Sequence, residues 1–301
     1  MSTSVLSAER ENNAVVARLA DYLEMTKPRI VVLELIVAGL AACLAMPRGL
    51  DVATVLHALF ATALVAASAS IANGWWERDS DARMPRTADR PLPAGRVSNF
   101  EALTLSALTV LAGLAWLAWK VNFLTAALGL SSWVVYVLIY TPLKKRTPLN
   151  TTVGAVAGAI PALMGWTATG APLNLTAYAL AGVLFVWQFP HFMAIAWLYR
   201  RDYALGGHRM LSVVDPTGIR CGAMAVVGAL VLIPVSLIPA VLPTGGSPLV
   251  FLVWAFCLGT IQYALAVRFA LLRDENSARL LLRGTLIYLP AWMTMLLMVT
   301  L

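Results

Sequence analysis

Charge is scarce in this chain of 301 residues: Asp, Glu, Lys and Arg make up 12%, against 60% hydrophobic residues. A soluble globule carries roughly a quarter of its residues charged, so this balance excludes one and points to an integral membrane protein. Cysteine is rarer still. Cys43, Cys221 and Cys257 all lie in apolar runs without C-x-x-C spacing, which argues against a disulfide framework or a thiolate metal site. The first 28 residues lack a positive stretch leading into a short apolar core, so no signal peptide is expected. Glu9, Glu11, Asp21 and Glu24 in the same segment speak against a mitochondrial presequence. A bacterial inner membrane fits best.

What the chain does have is long apolar runs. Nine approach the length needed to cross the hydrocarbon layer as helices: Ile30 to Met46, Val52 to Trp76, Ala102 to Trp119, Phe123 to Tyr140, Thr151 to Ala168, Leu175 to Tyr199, Cys221 to Ala240, Leu249 to Leu272 and Leu281 to Thr300. The expected fold is therefore all-α, with a cytoplasmic segment over 1–28 and one transmembrane domain over 29–301. With the N-terminus inside, only Arg48 and Lys120 of the 22 Lys and Arg fall on the far side. The positive-inside rule then puts the N-terminus in the cytoplasm and the C-terminus outside. The net charge of +7 comes from the cytoplasmic loops, so no nucleic-acid partner is implied.

Chemistry concentrates in those loops. Asn73, Glu77 and Asp81 recur every four residues. On a helix they advance about 40° per step and form a ladder roughly 12 Å long at the end of the second span. Oxygen ligands on one face suit Mg²⁺. Met84, Arg86-Thr87 and Arg90-Pro91-Leu92-Pro93-Ala94-Gly95 follow, and Arg86 and Arg90 repeat the spacing with guanidinium forks suited to diphosphate. The same acids and arginines could simply pair with each other and with lipid headgroups. A second basic element, Tyr140 to Asn150, contains Lys144, Lys145 and Arg146, which alone would also serve to hold a helix end at the interface. Gly154, Ala155, Ala157, Gly158 and Ala159 then permit close helix approach. The third element runs from Trp187-Gln188-Phe189-Pro190-His191-Phe192 to Asp202-Tyr203 and His208. On one continuous helix His191 and Asp202 would differ by only about 20° in direction and about 16 Å in height. His191 is an ionisable group inside a span, a functional candidate or a packing residue. Pro190 should kink this helix. Glu34, in the first span, is expected to pair with Arg29 or another cation; His57 lies remote on the far side, and His208 is either a surface residue or a phosphate contact.

The string N-x-x-x-E-x-x-x-D-x-x-M-x-R-T-x-x-R-P-L-P-x-G, the Y-T-P-L-K-x-R-T-P-x-N start with its G-A-x-x-G-A-x-P-x-x-x-G-W continuation, and Y-x-x-D-Y resemble the haem O synthase branch of the UbiA-type intramembrane prenyltransferases. The resemblance covers about Thr26 to Leu211. It implies nine spans around a central cavity with cytoplasmic caps and Mg²⁺ held by Asn73, Glu77, Asp81 and Asp202. It also implies diphosphate contacts from Arg86, Arg90, Lys144 and Arg146, and haem contact from His191. Farnesyl diphosphate and haem B would be substrates, haem B rather than a resident cofactor, with ring faces such as Trp166, Trp187, Phe192 and Tyr136 shielding an allylic cation. A haem A synthase or a terminal oxidase assembly factor would be the protein partner, beside membrane lipid. Many members of the wider group carry two aspartates in the second motif where this chain offers only Asp202, so a second metal position stays open. Rival readings are a prenyltransferase acting on an aromatic quinone precursor and a haem-binding membrane transporter.

The orientation is testable in a background without native cysteines. Arg83→Cys, Lys145→Cys and Asn276→Cys should react with impermeant thiol reagents only from the cytoplasmic side, and Thr244→Cys only from outside. Mixed accessibility among the first three rejects the nine-span, N-inside arrangement.

Overall fold

A computed structural model describes residues 15–45, 49, 51–241 and 248–300, and among them there is helix and turn but no strand. A short helix α1 (15–25) precedes α2 (Pro28–Ala45), α3 (Val52–Asp81), α4 (Asn99–Lys120) and α5 (Phe123–Val134). A π-helical turn, Val135–Tyr140, joins α5 to α6 (Thr141–Leu143). There follow α7 (Asn150–Ala168), α8 (Leu175–Leu198), the short α9 (Arg200–Leu205) and α10 (Leu211–Val214), α11 (Ile219–Leu237), α12 (Pro248–Leu272) and α13 (Glu275–Thr300). Nine helical stretches among the described residues are long and apolar enough to cross a membrane, as the run lengths predict. The segment 1–14 and the far-side turns around Arg48 and Thr244 lie outside the described residues.

Helix starts are set by small polar caps. Asp51 accepts from the Ala53 amide at 3.1 Å, Asn122 from Thr125 at 2.8 Å and Asn174 from Ala177 at 3.1 Å. Ser98 and Glu101 close a reciprocal capping box on α4. Pro161, Pro190, Pro234 and Pro290 all sit inside helices, where neighbouring helices cover the backbone groups a proline frees.

Packing follows the small residues. α2 lies against α3, α7 and α13, while α8 lies against α7, α11 and α13, and α7 and α8 are more enclosed than α2. A Cβ at Gly165 would overlap the carbonyl of Ala38, so α7 meets α2 backbone to backbone. Gly228 of α11 does the same for α8, since a Cβ there would stand 2.8 Å from Phe189 and 3.0 Å from Pro190.

One expectation fails at the end of α8. That helix stops at Leu198, where Tyr199 takes φ −106° and ψ 22° and starts the separate helix α9. His191 and Asp202 therefore do not share a helix face, and the 20° relation between them does not hold. Tyr199 is the C-cap of α8, its amide still donating to the Ile195 carbonyl at 3.0 Å, and it ends the span that the run of apolar residues seemed to continue.

Gly165→Ala should separate α2 from α7 at a cost of about 1–3 kcal/mol or more, read as a lower thermal midpoint in detergent. Gly182→Ala, whose Cβ would meet Val235 at an ordinary 3.5 Å, is the control and should change little. Equal midpoints for both reject the close approach at Gly165.

Candidate active site

α3 runs to Asp81, so the four-residue spacing does become a ladder on its last turns. Asn73, Glu77 and Asp81 are 1%, 6% and 2% exposed, far more enclosed than acids at a membrane boundary need be. Each is met by a cation or donor from elsewhere. Lys144 stands 2.9 Å from Glu77 Oε1 and donates to Oε2 at 3.1 Å. Arg90 donates to Asp81 Oδ2 at 2.9 Å. Asn73 accepts from Lys27 Nζ at 2.5 Å and donates to Thr141 Oγ1 at 3.0 Å. Thr141 in turn donates to the carbonyl of Tyr136 in the π-helical turn, at 2.8 Å. A π turn frees an extra carbonyl to a side chain, which is why such turns recur at functional sites.

Lys27 is the site residue that sequence reasoning missed, since it lies outside all three motif elements. Its φ of 52° is a left-handed conformation rare outside glycine. The fold holds this strain where it turns α1 into α2 and aims the ammonium at Asn73. Burial pushes Lys27 down to about 8, with Glu77 and Asp81 opposing that and Lys144 and Arg90 adding to it. Burial also works against the charge on Lys144, but Glu77 overrides it and holds that ammonium well above its ordinary range. A basic residue one position before a span proline was the available signal.

The third loop closes over this ladder. Arg86 reaches Asp202 at 3.5 Å and stacks over the Tyr199 ring at 4.6 Å. Arg83 donates to the Gly206 carbonyl at 3.0 Å, and the Arg209 amide donates to the Lys144 carbonyl at 2.6 Å. All three polar loops thus converge on one place. The site gathers four cations, Lys27, Arg86, Arg90 and Lys144, against three carboxylates, Glu77, Asp81 and Asp202. That leaves it net positive and fit for a polyanion. Arg146, grouped with them by sequence, is exposed, and its side chain makes no ion pair or hydrogen bond among the described residues.

A hard cation fits the same ladder. Among the described residues no group of three His, Cys, Asp and Glu side chains is close enough to ligate one. Yet Glu77 Oε1 is buried and, although Lys144 lies near, accepts no hydrogen bond of acceptable direction. A buried carboxylate oxygen with a free lone pair is the kind of hard oxygen donor magnesium takes.

Deeper in the bundle, His191 stacks on Trp187 with ring centres 4.7 Å apart, and its Nδ1 lies 2.9 Å from Thr285 Oγ1. Trp166 is elsewhere: it is packed in the core and donates to the Pro172 carbonyl at 3.0 Å, toward the opposite end from the ladder. Glu34 makes no ion pair among the described residues, contrary to the expected pairing with Arg29. Arg29 and Glu34 are five residues apart on α2, about 140° around the helix, so their side chains leave from different faces, and Lys27 lies about 10 Å away along the axis.

Removing one member of a buried pair strands the other at a cost of about 3–5 kcal/mol. Glu77→Gln should therefore lower the thermal midpoint, and Glu77→Gln with Lys144→Met should recover most of the loss. If the double variant is no more stable than Glu77→Gln, the pair is not what holds the end of α3 to the segment after α6.

Residues 34–295 match the UbiA prenyltransferase family. The chain is 40% identical over 281 residues to the protoheme IX farnesyltransferase of Solibacter usitatus, covering 90% of this chain and 96% of that one. The enzyme of the same name from Rhodopirellula baltica is 41% identical over 284 residues, covering 89% and 96%. Among solved structures, the UbiA homologue of Archaeoglobus fulgidus bound to GPP and Mg²⁺ superposes with a TM-score of 0.68 at 15% identity, covering 93% of this chain and all of that one (100%). The UbiA homologue of Aeropyrum pernix superposes with a TM-score of 0.67 at 17% identity, covering 88% and 97%. With the helical bundle, the charged ladder and these matches in agreement, the chain belongs to the UbiA prenyltransferase family, in its protoheme IX farnesyltransferase branch.

Proposed function

We propose that this protein transfers the farnesyl group of farnesyl diphosphate to a vinyl group of haem B, giving haem O and diphosphate. The observation that carries the reading is the net-positive enclosure around Asn73, Glu77 and Asp81 at the polar end of an apolar bundle, in a chain about 40% identical to protoheme IX farnesyltransferases. A bacterial inner membrane with a cytoplasmic N-terminus fits this role, with 29–301 as one catalytic domain. A haem A synthase or terminal oxidase assembly factor would receive the product.

Asn73, Glu77 and Asp81 would hold Mg²⁺, with Asp202 supplied by the facing loop. When bound, the ion supplies Lewis-acid charge to the departing diphosphate. Lys27, Arg86, Arg90 and Lys144 neutralise the same oxygens, so the allylic carbon–oxygen bond breaks with its electron pair leaving on the diphosphate. Arg146 would join them only by swinging inward on binding. Burial of the ladder keeps water from the allylic cation until a haem vinyl carbon attacks it. Addition of water to the resulting vinyl-derived cation, with loss of one proton, leaves a hydroxyethylfarnesyl group. Tyr136, Trp187 and Phe192 offer ring faces to the cationic species.

His191 is suited to orient haem. The Thr285 hydroxyl donates to the Leu282 carbonyl at 2.6 Å, so its oxygen accepts from His191 Nδ1–H. That assignment leaves the Nε2 lone pair free for an acceptor role.

Purified protein given haem B, farnesyl diphosphate and Mg²⁺ should yield the hydroxyethylfarnesyl product by mass spectrometry, and chelation should stop it. Asp81→Asn should lower turnover by about 100-fold or more, the scale expected when preorganised charge at a leaving group is lost. Prenylation of an aromatic quinone precursor in place of haem B would sink the acceptor assignment.

A further inference from the structure

His208 is unaccounted for in this scheme. It lies on a surface loop by sequence, yet it is 2% exposed, and its Nδ1 is buried with no hydrogen-bond partner. An imidazole nitrogen left unpaired in an enclosed place carries a desolvation penalty that an apolar side chain of similar size would avoid. Such an atom needs an explanation, and its surroundings offer one. A Cβ at Gly206 would meet Met84 Sδ at 2.9 Å and His208 Cδ2 at 3.0 Å, so the ring lies beside Met84, just past the end of the ladder, and the amide of the next residue, Arg209, is bonded to the backbone of Lys144 at 2.6 Å. The ring is also held. The His208 amide donates to the Tyr203 carbonyl at 2.9 Å, and Tyr203 meets the imidazole edge-on with centres 6.0 Å apart. Gly207, at φ 73°, makes the turn that folds the loop inward. On one side Arg83 holds Gly206, and on the other the Arg209 amide is bonded to the backbone of Lys144. A side chain fixed this firmly, with a polar atom left over, is preorganised for something that arrives.

We propose that His208 is a further substrate-contacting residue, whose Nδ1–H donates a hydrogen bond to an oxygen of the prenyl diphosphate. The proposal rests on the reading of this enclosure as a diphosphate site, and not on the identity of the acceptor. The ligand it serves is the diphosphate group itself, whatever chain that group carries. The four cations come from the start of α2, the loop after α3 and the second basic element; an imidazole N–H adds a directed contact from the third loop.

The probe is inorganic diphosphate with Mg²⁺, used as a competitor of farnesyl diphosphate and measured directly by calorimetry on the purified protein in detergent. His208→Leu should raise the inhibition constant for inorganic diphosphate and the KM for farnesyl diphosphate about tenfold each, with the KM for haem B unchanged and the thermal midpoint equal or higher. His208→Gln, which keeps a donor, should stay within about threefold of the wild type for both. An unchanged inhibition constant in His208→Leu overturns the proposal and makes the imidazole a packing group with a bound water. Equal losses in the Leu and Gln variants overturn it too, because shape would then matter and not the donor. Should His208→Leu fail to fold, His208→Phe takes its place with the same two criteria. Wild-type protein that binds inorganic diphosphate in a His208-dependent way but makes no prenylated haem supports the contact and sinks only the reaction assigned above.

Discussion

The structure depends on burying charge at the edge of an apolar bundle. Glu77, on the last turns of α3, and Lys144, just after α6, are both enclosed, so neither is tolerable without the other. Once that pair is made, α3 and the segment after the π-helical turn are locked in register. The Arg209 amide on the Lys144 carbonyl then brings the third loop to the same point. Arg90 on Asp81 and Arg86 on Asp202 repeat the device at the rim, where water still reaches the guanidinium groups. A set of charges assembled to satisfy each other is also a set that a polyanion and a divalent ion can reorganise.

The apolar part of the molecule answers a different need. Helices with no polar side cannot be sorted by amphipathicity, so their neighbours are chosen by fit between backbones. Gly165 on Ala38 and Gly228 on Pro190 set α2 against α7 and α8 against α11. α2 thereby links the two halves of the problem: its packing is fixed by Gly165, and its start carries Lys27 into the ladder. The strain in Lys27 is sustained because both ends of that short segment are anchored.

Much of this was legible in sequence, for identifiable reasons. Span number follows from run length, and the Asn73–Glu77–Asp81 ladder follows from helical period, since α3 continues past the last apolar residue. The break at Tyr199 was not legible, because Trp197, Leu198 and Tyr199 read as one apolar stretch and no glycine or proline marks the stop. Lys27 escaped notice because its role depends on a backbone conformation that a lysine codon does not announce. His208 and Arg146 exchanged the positions their contexts suggested: a loop histidine is buried and a motif arginine is exposed. Both outcomes are decided by contacts between loops far apart in the chain, which local pattern does not report.

The pairing of Glu77 with Lys144 spans 67 residues, and that interval has a cost in time as well as in geometry. A chain made at roughly 5–20 residues per second exposes Glu77 for about 3–13 s before its counter-charge leaves the ribosome. During that interval the carboxylate is left to water and headgroups at the polar end of the bundle. Insertion and completion of the charged enclosure are therefore separate events in the life of this protein, and the later one waits for the third loop.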